Sequence, residues 1–153
     1  MASFTITGGE VVPEIEMPPS ATILDLKQRT KEELDVEVDR QTLLYNQMEL
    51  SNEHPIEYVY QEFVTLNLVV TPLVGQPKIN VVVRSSTAEG FVRIKETYTV
   101  ADFKRKIERL WGIPTEKIIL RRLSQEMEDN LWLSAYYVNE GSEVEVIVIV
   151  DPR

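Results

Sequence analysis

A repeated capped helix constrains this chain more than any other feature. Thr22-Ile23-Leu24-Asp25-Leu26-Lys27 recurs as Thr99-Val100-Ala101-Asp102-Phe103-Lys104, a step of 77 residues. In both places a threonine can accept from a free first-turn amide. An aspartate three positions on then answers the other open amides and the positive end of the helix dipole. In the second copy Val100, Phe103, Ile107, Leu110 and Trp111 fall at three- and four-residue steps, which predicts one apolar stripe. Gly112 can take the left-handed turn that ends this helix, and Pro114 forbids its resumption. The register continues beyond the helix: Leu43 meets Leu120, Leu50 meets Met127, Ile56 meets Leu133 and Tyr60 meets Tyr137. Apolar positions kept in step over strand, helix and strand imply a duplicated domain.

The repeat places one domain at 1–70 and a second at 79–153, joined by a linker over 71–78. Two prolines and a glycine in that linker interrupt both kinds of periodicity. In the first copy Phe4 to Thr7 and Val11 to Met17 read as strands ahead of the helix. Gln41 to Tyr45, Met48 to Leu50 and Thr65 to Val70 read as strands after it, with a short plug at Ile56 to Tyr60. Pro13 cannot donate a ladder hydrogen bond, so its strand belongs at a sheet edge. The second copy repeats the plan: strands at Ile79 to Val83, Phe91 to Lys95, Lys117 to Arg122, around Met127 and at Glu143 to Val150, and a plug within Asp129 to Val138. Val144, Val146 and Val148 should share one face. The fold class is α+β. Each copy is a mixed sheet of four to five strands with one helix across it, and only the first and last strands pair parallel. This is the β-grasp arrangement.

Composition narrows the function. Hydrophobic residues make up 43% of the chain, enough for two small cores. No apolar run approaches the roughly 18 residues a membrane span needs. The N-terminus has no basic start followed by a hydrophobic run, so no secretory signal is expected. There are no cysteines, which excludes disulfides, thiolate metal sites and cysteine nucleophiles. The expected location is cytoplasm or nucleus. Net charge is −9, and it sits in the first half: residues 1–76 hold 13 acids and 4 bases, residues 77–153 hold 12 of each. Phosphates would be repelled by such a first domain, so no nucleic-acid partner is expected. The run Lys104-Arg105-Lys106 with Arg109 reads as a solvated helix face, or else as a contact for an acidic partner. His54, the one histidine, precedes Pro55 in a loop. There is no glycine-rich phosphate loop, and Glu32-Glu33-Asp35-Glu37-Asp39 lacks the spacing of a calcium loop. The chain therefore reads as non-enzymatic, with no cofactor and no metal.

Some of these residues also resemble ubiquitin. In the second copy they are Gly112-Ile113-Pro114 after the helix, and Asp129-Asn130-Leu131-Trp132-Leu133-Ser134-Ala135-Tyr136. In the first they are Pro19-Ser20, Thr22-Ile23 and Lys27 at the helix start, and Gln41-Thr42-Leu43-Leu44 in the third strand. The resemblance covers both copies and implies a tandem ubiquitin-like protein. It implies a recognition face as well, which in ubiquitin joins an isoleucine on the third strand to a histidine and a valine on the fifth. Those positions are Leu44, Asn67 and Val69 in the first copy, and Arg121, Glu145 and Ile147 in the second. The leucine of ubiquitin's first turn is replaced by Gly8-Gly9. Arg121 and Glu145 should be neighbours, turning an apolar face into a charged one. Ubiquitin's most used linkage lysines correspond to Met48, Glu62, Gln125 and Glu140. Lys27 and Lys104 match a largely buried lysine with a structural role. The sequence ends Asp151-Pro152-Arg153 without the diglycine tail of a conjugated modifier. The resemblance thus implies a monomeric, non-conjugated adaptor for ubiquitin receptors, ligases, proteases or proteasome-linked factors, with no membrane partner. The alternative is a covalent two-domain modifier whose longer precursor supplies the diglycine.

Overall fold

In a computed structural model, which describes residues 1–59 and 61–150, the chain divides between Pro72 and Leu73 into two compact units. Tyr60, the expected end of the first plug and counterpart of Tyr137, lies outside the described residues, as do Asp151, Pro152 and Arg153 of the expected tail.

The first unit contains β1 (Ala2–Thr7), β2 (Glu14–Met17), α1 (Ile23–Leu34), β3 (Gln41–Tyr45), β4 (Met48–Glu49) and β5 (Phe63–Val70). Its sheet order is β2-β1-β5-β3-β4, and β1 with β5 is the parallel pair. The strand that follows Pro13 is an edge, as the missing donor requires. Burial alternates strictly along β5: Val64, Leu66 and Leu68 turn inward, Asn67 and Val69 outward. Helix α1 turns Ile23, Leu26, Thr30 and Leu34 onto the sheet, where Phe4, Ile6, Ile15 and Leu43 are also buried. Each fully buried leucine or isoleucine contributes about 1.5–3 kcal/mol. Thr22 and Asp25 form the expected reciprocal cap, with the Asp25 amide donating to Thr22 Oγ1 at 3.2 Å and the Thr22 amide to Asp25 Oδ2 at 2.9 Å. At the other end of α1, buried Gln41 donates through Nε2 to the carbonyls of Lys27 at 2.9 Å and Val36 at 3.0 Å. This fastens the departing chain to β3. A 3₁₀ turn, Ile56–Val59, closes the core below the helix start, where the Ile56 amide donates to the Ala21 carbonyl at 2.8 Å.

The second unit has the same topology. It contains β6 (Lys78–Arg84), β7 (Glu89–Lys95), α2 (Val100–Trp111), β8 (Ile118–Arg122), β9 (Gln125–Glu126) and β10 (Glu143–Val148), in the order β7-β6-β10-β8-β9. Here β6 and β10 are the parallel pair. The cap by Thr99 and Asp102 and the left-handed Gly112 at φ 71° are as the sequence predicts. The apolar stripe is shorter than its periodicity suggests. Val100, Phe103 and Ile107 are buried, but Leu110 is 47% exposed and Trp111 only half-buried. The last turn of α2 overhangs the edge strand β7 at Gly90, where an added Cβ would stand 3.3 Å from Leu110 Cδ2. Beyond that edge no further strand among the described residues covers Leu110. Val144, Val146 and Val148 share a face of β10 as expected; Val144 and Val146 are buried on it, while Val148 ends the strand at 38% exposure.

Two buried charged groups serve as internal ties in this unit. Arg122, 2% exposed, donates to the carbonyls of Tyr136 at 3.3 Å, Tyr137 at 3.1 Å and Glu143 at 3.5 Å. Glu96, 3% exposed, accepts from the Leu73 amide at 2.8 Å and from Gln76 Nε2 at 3.4 Å. In the first unit, Thr71 accepts from Arg40 Nε at 2.7 Å and donates its amide to the Arg40 carbonyl at 2.8 Å.

Candidate protein-interaction faces

Each sheet has one side covered by its helix and one side open, and the open side carries the positions the sequence singled out. In the first unit Leu44 on β3 stands directly opposite Asn67 on β5, and Thr42 directly opposite Val69. Strand β1 extends the same row, since Thr7 pairs with Asn67, and β4 closes it, since Glu49 pairs with Leu44. The outer row is therefore Glu49, Leu44, Asn67 and Thr7. Val69 is 47% exposed one step along the strand, and Leu44 is half-buried. Gly8 follows this row at φ 128°, and a Cβ there would lie 2.3 Å from the Leu68 carbonyl oxygen. The turn that bears a leucine in ubiquitin is thus pressed onto β5 and has no room for a side chain at Gly8.

In the second unit the corresponding row is charged from edge to edge. Glu126 pairs with Arg121, Arg121 with Glu145, Glu145 with Arg84, and Arg84 with Glu89. Five strands thus present −, +, −, +, − at one level. Opposite charges directly across a sheet attract, by roughly 0.2–1 kcal/mol per pair. Arg121 and Glu145 stand opposite each other as expected, yet no salt bridge joins them. The salt bridges form at the other end, where Arg84 Nη2 lies 3.2 Å from Glu89 Oε2 and Nη1 contacts Glu143. The hydrogen bond to Glu89, aided by the charge of Glu143, raises the Arg84 pKa above its ordinary value. Ile147, half-buried, pairs with Ile119 in the next row. Arg84, Glu89, Glu126 and Glu143 were not singled out from the sequence. The step of 77 from Thr7 and Glu49 leads to Arg84 and Glu126, so the repeat carried that signal.

The two lysines at the matched helix position differ. Lys27 is 7% exposed; burial lowers its pKa from the ordinary value, opposed by the charge of Glu49. Lys104 Nζ lies 2.7 Å from Asp129 Oδ1. His54 is half-buried, and its Nδ1 accepts from the Ser51 amide at 3.4 Å, which ties it into the turn before the 3₁₀ segment. Among the described residues no group of three or more His, Cys, Asp or Glu is arranged to hold a metal ion. No helix among them is long and apolar enough to cross a membrane.

Comparison with known families agrees with this geometry. The ubiquitin family matches twice, at residues 5–73 and at 79–150. The chain belongs to the ubiquitin family. Its two ubiquitin-like domains are similar to solved single domains. One is the ubiquitin-like domain of an Arabidopsis thaliana protein, with 27% identity and a TM-score of 0.50, covering 53% of this chain and 87% of that one. Another is an N-terminal ubiquitin-like domain with 21% identity and a TM-score of 0.48, covering 56% of this chain and 88% of that one. The 53% coverage of the first of these is what one domain of a tandem pair would give. Both matched regions therefore carry the open face described above, apolar and polar in the first domain and charged in the second.

Proposed function

We propose that this protein is a non-conjugated tandem ubiquitin-like adaptor. It binds components of the ubiquitin pathway, such as ligases, proteases or proteasome-linked receptors, through its open sheet faces and performs no chemical step of its own. The observation that supports this reading is the register of the first domain, which puts Leu44, Asn67 and Val69 on one open face; the resemblance matches these positions to ubiquitin's recognition patch. An apolar pair framed by amide and hydroxyl groups suits a partner that buries a small hydrophobic centre inside a polar rim. The second domain cannot offer the same centre. Its Arg121 and Glu145 would have to be desolvated without an apolar gain, so receptors selecting ubiquitin's apolar patch should discriminate against it. Affinity capture from a cell extract, with Leu44→Arg as matched control, tests the assignment. Partners from the ubiquitin pathway that are retained by the native chain and lost by the variant support it. An identical captured set refutes it.

A further inference from the structure

We propose that the groove between β7 and the end of α2 in the second domain is a docking site for a short acidic protein segment carrying a large apolar side chain. The groove is lined by Phe91, Val92, Arg93, Lys106, Arg109 and Leu110. Two of these are large apolar residues left in the open, Phe91 at 64% and Leu110 at 47% exposure. Three are cations, Arg93, Lys106 and Arg109, without a salt bridge among the described residues. The other bases of the helix run are already committed, Lys104 to Asp129 and Arg105 to Asp102. The neighbouring carboxylates are engaged as well, because Glu108 accepts from the Thr115 amide at 3.3 Å and Glu89 is held by Arg84. Positive charge not held in a salt bridge among the described residues thus lies against exposed apolar surface.

The first domain supplies the comparison that gives this meaning. Stepping back 77 residues from Phe91, Arg93, Lys106, Arg109 and Leu110 leads to Glu14, Glu16, Arg29, Glu32 and Glu33. Arg29 is itself paired with Glu32 at 3.4 Å. The same topology therefore folds with four carboxylates where the second domain has two apolar groups, an arginine on the strand and an arginine on the helix. Packing does not require the cationic and apolar character, since its inverse is compatible with the fold. The charge also selects the occupant. A carboxylate-bearing segment is attracted to Arg93, Lys106 and Arg109 and can bury an apolar side chain between Phe91 and Leu110. A long polyanion such as a nucleic acid would have to extend over the acidic remainder of the chain and be repelled.

The test is an NMR titration of the isotope-labelled full chain with a short synthetic peptide in which glutamates flank a leucine. Shifts should appear at Phe91 to Arg93 and at Lys106 to Leu110, with none at Glu14 to Glu16. Lys106→Glu combined with Arg109→Glu should weaken binding about tenfold or more, and raised salt should weaken it in the native chain. Both side chains lie on the outer part of a helix whose buried residues are Val100, Phe103 and Ile107, so the variant should keep native shifts elsewhere. Equal binding of a peptide with lysines in place of glutamates would overturn the proposal without using any variant. So would shifts confined to the first domain, absence of binding, equally tight binding of a short oligonucleotide at the same amides, or shifts of those amides on simple dilution. That last result would mark a second copy of the chain as the occupant.

Discussion

Leu43 and Leu44 are adjacent in β3, yet substitutions at the two should act on different properties. Leu43 is fully buried, and truncation to alanine removes its transfer energy and leaves a cavity, at a cost of about 2–5 kcal/mol. In a unit spanning Met1–Pro72, each kcal/mol lowers the midpoint by about 4–8 °C, so Leu43→Ala should lower it by roughly 8–40 °C. Leu44 lies on the open face, half-buried, opposite Asn67 and Glu49. An arginine there can lay its aliphatic stem along the sheet and place its charge beside Glu49, so stability should stay within about 0.5 kcal/mol. The assay has a built-in separation. Both tryptophans, Trp111 and Trp132, are in the second domain, so their fluorescence follows that domain alone, whereas circular dichroism follows both. Leu43→Ala should split the dichroism transition and leave the tryptophan transition in place. Leu44→Arg should move neither while abolishing partner capture. A Leu44→Arg midpoint as low as that of Leu43→Ala would show that Leu44 belongs to the core, and any loss of binding would then be unfolding.

Other variants test single ties. Gln41→Ala removes the donor shared by the Lys27 and Val36 carbonyls and should cost about 1–3 kcal/mol in the first domain, read by dichroism with unchanged tryptophan fluorescence. Arg84→Gln takes away the cation that bridges Glu89 and Glu143 at an exposed site; the thermal midpoint should fall only slightly, and the difference should shrink at high salt. The Asp102 carboxyl is held below its ordinary pKa of 3.8, first by the Thr99 amide and then by the Thr99 hydroxyl and Arg105, against an opposing effect of burial. A depressed carboxylate stabilises above its unfolded pKa and loses that contribution as pH falls through the folded value. The midpoint difference between the native chain and Asp102→Asn should therefore be constant near neutrality and close only under acid conditions.

What the sequence disclosed was local. Thr22 with Asp25, and Thr99 with Asp102, announce their helices because the capping partners are three residues apart. The alternation of Val64 to Val69 fixes which face is open for a similar reason. What it concealed depends on partners far along the chain. Arg121 opposite Glu145 is expected from the resemblance, but the continuation of that charged row through Arg84 and Glu89 exists only once β10 is set beside β6 and β6 beside β7. Arg122 and Glu96 look like ordinary polar residues, because the groups that satisfy them, the Tyr137 carbonyl and the Leu73 amide, are not neighbours in sequence. Leu110 departs from its pattern for another reason. Helical periodicity places it on the apolar stripe, but the sheet beneath ends at Gly90 and does not reach far enough to cover it.

The most direct test of the account is an NMR titration of the labelled full chain with a receptor domain that recognises ubiquitin's apolar patch. Non-covalent recognition through the first domain predicts shifts centred on Thr42, Leu44, Asn67 and Val69, with Arg121 and Glu145 unmoved. Shifts that avoid β3 and β5 of the first domain altogether would contradict it.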